Sequence, residues 1–221
     1  MKEQSQTSRF ERRWPVALTI VVVLLLLALL PNYIRLMPMW VTYVLGIAVL
    51  TPIAAVGLTS ARARWLRVER MVTLIFFVVG VLLILGNLVN MIHAMVNRSA
   101  EVTGLQLLAG SIAAWISNVL IFSLMYWQLD RGGPEARVNR MGARTDWFFP
   151  QEGDALSAAP ADWRPAFVDY LYVAYQTAAA FSTTDVLPLT PRAKLLIMLE
   201  SAISLTTILV VAARAINILG G

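Results

Sequence analysis

The side chains able to do chemistry fall into four groups, each in or between long apolar runs. The first is the turn Ser182-Thr183-Thr184-Asp185, closed by Pro188 and Pro191. The second is Asp169, Gln176 and Thr183; at a seven-residue spacing they fall on nearly one helical face. The third is Glu200, Ser204, Thr207 and Arg214, which share a face by the same arithmetic. The fourth is Asn87, Asn90, His93 and Asn97, with Ser111 and Asn118 of the following run placed to meet it. Ionisable groups in apolar segments are costly, so they normally face a bundle interior or a wet cavity. Asp169, Gln176, Glu200, Ser204 and Thr207 therefore suggest a polar pathway. The competing reading has Asp169, Glu200 and Arg214 near interfaces, snorkelling, with the hydroxyls bonded to their own helix. Asn87, Asn90 and His93 suggest a proton-sensitive or ion-contacting stripe with His93 as the titrating group. The competing reading is interhelical hydrogen bonding, worth about 1 kcal/mol or less per bond.

Other chemistries find no footing. The chain has no cysteine and a single histidine, which removes thiolate catalysis, disulfides and any multi-histidine metal site. No Ser, His and acid grouping has a hydrolase context, and no glycine loop suits a phosphate. The expectation is a protein that is not an enzyme and carries no cofactor and no metal.

The elements that position these groups follow from composition. The chain of 221 residues is 58% hydrophobic and 14% charged, against about 25% charged in soluble domains. The difference comes from six apolar segments, at about 14–30, 39–58, 71–96, 104–127, 166–182 and 193–219. Most are near the roughly 20 residues a helix needs to cross a bilayer, where backbone groups must bond within the segment. The expected fold is all-α, a polytopic membrane helix bundle of about six transmembrane segments. It divides into a cytoplasmic tail (1–13), a four-helix bundle (14–128), a polar interfacial loop (129–165) and a helix-turn-helix module (166–221). The first run is expected to be a retained helix, because Pro31-Asn32-Tyr33 is not a small-residue cleavage site. Pro52 is expected to kink the second.

The net charge of +5 is carried near segment ends, as in cytoplasmic loops beside anionic lipid. Nucleic-acid binding is not expected, since there is no soluble basic domain. The basic tail, the 60–70 loop and the start of 129–165 place the N-terminus in the cytoplasm of a multi-pass cell-membrane protein. If the fifth segment crosses, the 185–192 turn lies outside. If it dips in and returns, Arg192 and Lys194 lie inside. The loop is basic first (Arg131, Arg137, Arg140, Arg144) and acidic later (Asp146, Glu152, Asp154, Asp162). Its Trp147, Phe148, Phe149 and Trp163 suit the headgroup zone or a plain connecting loop. Asp162 is an expected N-cap of the fifth segment, with Pro165 in its first turn.

Residues 170–217 resemble the pore region of tetrameric potassium channels. Tyr170, Tyr172, Tyr175 and Phe181 match the aromatic pore helix, and Thr183-Thr184 the paired threonines. Asp185, Pro188 and Thr190 match the following Asp-x-x-Pro-x-Thr, Lys194 the basic position, and Glu200 the acid of the inner helix. The glycine-rich filter is absent, with no glycine between Gly153 and Gly220. Such filters need the dihedrals glycine permits. In those channels the pore helix also enters from outside, whereas here the charge pattern puts the preceding loop inside. The chain also resembles a family of uncharacterised bacterial inner-membrane proteins, through the aromatic helix 172–181, the turn Ser182–Asp185, Arg192 and Asn217. That resemblance implies a location and no activity. The channel resemblance implies a homo-oligomer conducting monovalent cations, with Thr183, Thr184 and Asp185 at the narrow point and Glu200, Ser204 and Thr207 on the cavity wall. Rival expectations are a small proton- or ion-linked transporter using Asn87, Asn90 and His93, and a membrane adaptor with 129–165 as its partner surface.

Overall fold

The computed structural model describes residues 13–29, 38–58, 63–96, 104–138, 144–152, 163–182 and 185–219. Asn97, Asp154, Asp162, Thr183 and Thr184 lie outside them. The all-α expectation holds. The helices are α1 (Trp14–Leu29), α2 (Met39–Leu58), α3 (Ala63–Val96), α4 (Gly104–Leu129), α5 (Pro134–Val138), α6 (Phe167–Ala180) and α7 (Pro191–Leu219). Two short strands, β1 (Trp147–Phe148) and β2 (Leu187–Pro188), pair antiparallel.

Among the described residues, three helical stretches are long and apolar enough to cross a membrane: Trp65–His93, Leu108–Gly132 and Pro191–Ala213. α1 and α2 carry shorter apolar stretches, Trp14–Ala28 and Tyr43–Ala55. The outward faces are apolar too. Met71, Ile75, Val78, Leu82 and Val89 of α3 and Leu195, Met198 and Leu205 of α7 are exposed at helical spacing. Such stripes suit a non-aqueous surrounding.

α4 is the hub, packed against α1, α3, α6 and α7. Its apolar residues Ile121, Phe122 and Leu124 are fully or nearly fully buried. α3 approaches closely because Gly80 has no side chain: a Cβ there would lie 2.6 Å from Ile121 Cδ1. Phe77 and Phe122 meet edge to face at 5.2 Å, a favoured aromatic geometry.

α3 begins at Ala63, about two turns before its apolar run. The expected 60–70 loop is thus helical from Ala63 onward. Its acid is paired there: Arg13 Nε donates to Glu69 Oε1 at 2.8 Å, with both side chains largely buried. Arg70 donates to the Gly132 carbonyl at 3.2 Å. The starts of α1 and α3 and the end of α4 therefore share one end of the bundle.

α6 starts at that same end, where the Tyr170 hydroxyl reaches Asp130 at 2.6 Å. Its 14 residues span about 21 Å, short of a bilayer core. It stops at Phe181, held at φ 57° in the left-handed region, which costs a non-glycine residue about 1–2 kcal/mol. The chain then comes back. Phe148 pairs with Leu187 and Trp147 with Pro188, and Leu189 N donates to the Asp146 carbonyl at 2.8 Å. α7 thus leaves from the end at which α6 began, and the two run side by side. Of the two geometries open for the fifth segment, the chain adopts the dip and return.

The polar loop departs from expectation in two respects. Trp147 and Phe149 are buried in the bundle rather than laid on its surface. Trp147 packs on Tyr126 and Tyr170, and Phe149 on Tyr170. The α6 start lies at Phe167, too far along for Asp162 to cap it. Asp169 does that work, accepting from the Ala166 N–H at 2.7 Å.

Candidate functional site

Three polar constellations are built around α6 and α7. The outermost is a charge clasp where the loop meets the bundle end. Asp130 closes α4 and is fully buried. It accepts from the Asp146 N–H at 2.9 Å and from the Tyr170 hydroxyl, and lies 3.5 Å from Arg131. Asp146, also fully buried, accepts from Thr190 Oγ1 at 2.5 Å and from Arg192 Nε at 2.6 Å. Arg192 also reaches the second Asp146 oxygen. Arg137 donates to the carbonyls of Trp127 and Asp130 and sits 4.9 Å over the Tyr170 ring, close enough for a cation–π attraction. The turn geometry comes from Arg131, Gly132 and Gly133, all at positive φ. A Cβ at Gly133 would lie 3.3 Å from the Gln128 carbonyl. The clasp fixes the return strand and the start of α7 to α4.

The second constellation lies inside the bundle. Glu200 of α7 is fully buried, and the Tyr126 hydroxyl of α4 donates to its Oε2. Asn118 Nδ2 donates to the Glu200 carbonyl at 3.2 Å. One step along, Ser204 donates to the Ala178 carbonyl at 2.6 Å and accepts from Trp115 Nε1 at 2.9 Å. Thr207 bonds the Ile203 carbonyl of its own helix.

The third constellation is exposed. Gln176 Nε2 donates to the Tyr172 hydroxyl at 2.7 Å, and that hydroxyl donates to Asp185 Oδ2 at 3.2 Å. The row joins α6 to the return segment. Ser182 is exposed beside it.

The structure thus divides the expected pathway. Asp185 is exposed and Gln176 half-buried beside it, whereas Glu200, Ser204 and Thr207 turn inward against α4 and α6. They are not two walls of one channel within a single chain. Asp169 is taken up at the α6 start, where burial pushes its carboxyl above the usual range against the pull of the backbone N–H groups. The α3 stripe also divides: Asn87 is buried, Asn90 half-buried and His93 exposed. Asn118 spends its amide on α7 rather than on that stripe. Tyr126 and Trp115 were not foreseen. Each lies in a largely apolar run, and only the packing of α4 on α7 gives it a role. The clasp left a faint trace in the loop's basic-then-acidic order, which Arg131 and Glu152 honour by pairing.

No family model matches the chain, and neither a curated protein nor a solved structure matches it.

Proposed function

We propose that the chain is an integral protein of the cell membrane with a channel-like, ion-conducting role. In this reading α6 and the return segment 181–190 form a degenerate pore element that faces an aqueous path between copies of the chain. The observation that carries it is the exposed row Tyr172–Gln176–Asp185. Polar side chains at the depth of a bilayer core face water or protein, not lipid. Among the described residues the row is open, with Tyr172 and Asp185 exposed, so in this reading a homo-oligomer around an axis supplies its surroundings. The acid Asp185 favours monovalent cations over anions at that point. Kinship with the uncharacterised bacterial family is part of the proposal, resting on the aromatic helix, the Ser182–Asp185 turn and Arg192.

The test is cation flux into vesicles reconstituted with purified protein, combined with the oligomeric state in detergent. Asp185→Ala is expected to lower flux about tenfold, the effect of roughly 1.4 kcal/mol at the limiting step. A monomer, or flux indifferent to Asp185→Ala, would remove the proposal.

A further inference from the structure

The carboxyl of Glu200 is the one buried acid whose charge the fold leaves unanswered among the described residues. It is fully buried, and the Tyr126 hydroxyl serves its Oε2. Its Oε1 has no donor among the described residues. The fully buried Asn118 faces the same helix, with its amide on the Glu200 carbonyl, and its Oδ1 also lacks a donor. The Oγ of Ser201 is buried and unbonded as well. These are hard oxygen groups, and what they lack is positive charge and donated hydrogen.

Most titratable groups on the packed elements are committed elsewhere, and Arg67 of α3 and Tyr175 of α6 are exposed. On α4 the titratable group bonded to the Glu200 carboxyl is Tyr126, and Asp130 belongs to the clasp. On α6, Tyr170 serves Asp130 and Tyr172 serves Asp185. On α3, Glu69 pairs with Arg13, and Arg70 reaches the Gly132 carbonyl. On α7 itself, Arg192 is held by Asp146. Lys194 is exposed, and Arg214 is about 21 Å along the helix. An uncompensated buried carboxylate is among the costliest groups a protein can hold.

We infer that Glu200, beside Asn118 and Tyr126, is a binding site for a single monocation taken from water, a proton or an alkali-metal ion, on Oε1. The site is separate from the exposed row of α6, because Glu200 faces α4. It does not depend on whether the protein conducts.

The experiment is thermal unfolding of the purified protein in lipid nanodiscs, as a function of pH and of Na+ and K+ concentration. Wild type is expected to gain stability on lowering pH or on adding one of the cations. Where a metal ion competes for the site, the pH midpoint moves by about one unit per tenfold change in its concentration. Where the midpoint ignores both salts, the occupant is the proton alone. Glu200→Gln, neutral and carrying its own N–H donors, is expected to abolish the dependence. Wild type insensitive to pH and to both salts, or Glu200→Gln retaining the wild-type dependence, overturns the inference. Should Glu200→Gln fail to fold, infrared difference spectra of wild type with isotope-labelled glutamate read the same event. A carboxylic acid C=O band that changes with pH or salt, and is lost in Tyr126→Phe or shifted by it, supports the site. A band unaffected by pH, salt and Tyr126→Phe counts against it.

Discussion

Asp146 and Glu200 are both fully buried acids, and both touch α7 or its approach, yet their surroundings differ in kind. Asp146 has a guanidinium on its two oxygens and a hydroxyl besides. Glu200 has one phenol. Buried ion pairs seldom add much net stability, but breaking one leaves a bare charge and is expensive. The clasp therefore acts as a lock: it fixes which end of the bundle α6 and α7 leave from. The Glu200 site has no such geometric duty. α7 is also tied to α4 and α6 through Ser204 and Trp115.

The contrast can be broken first at the clasp. Asp130→Ala removes the acceptor for the Asp146 N–H and the Tyr170 hydroxyl and one of the two acids beside Arg131. It is expected to cost about 3–5 kcal/mol, read as a large drop in unfolding temperature in detergent. A loss under about 1 kcal/mol would show that the return strand is held by apolar packing instead. Tyr126→Phe comes next, with an expected loss of about 1–3 kcal/mol from a buried acceptor left without its donor. Glu152→Gln weakens a pair whose members are both partly exposed, so the expected change is under about 1 kcal/mol and shrinks further in high salt. The smallest change in stability is expected for Gln176→Leu, within about 0.5 kcal/mol, since its side-chain partner among the described residues is an exposed tyrosine. The same variant is expected to lower cation flux, which separates the open row from both buried acids.

Much of the helical scaffold was legible because hydrophobicity is a local signal. The fourth segment was expected over 104–127 and runs Gly104–Leu129. The third began too late, because Arg67, Glu69 and Arg70 look like loop residues until Arg13, 56 positions away, neutralises the acid. The turn-back of α6 was open from sequence. What decides it is the pairing of Trp147 with Pro188, a contact between distant residues with no periodicity to announce it. Trp147 itself was misplaced for a related reason. An aromatic flanked by prolines and charges suits an interface, and only the pocket made by Tyr126 and Tyr170 draws it inside. Of the candidate site, Gln176 and Asp185 do share a hydrogen-bonded row through Tyr172, but the face that Glu200 presents was invisible without α4.

The early ending of α6 also has an electrical consequence. A helix carries the equivalent of roughly half a negative charge at its C-terminus. Most helices of such a bundle deliver that charge to one surface or the other, where water disperses it. α6 stops beside Ser204, about 20 Å along α7, so its negative pole lies within the thickness of the bundle. Before any side chain is counted, the backbone alone makes the turn after Ala180 a place of negative potential.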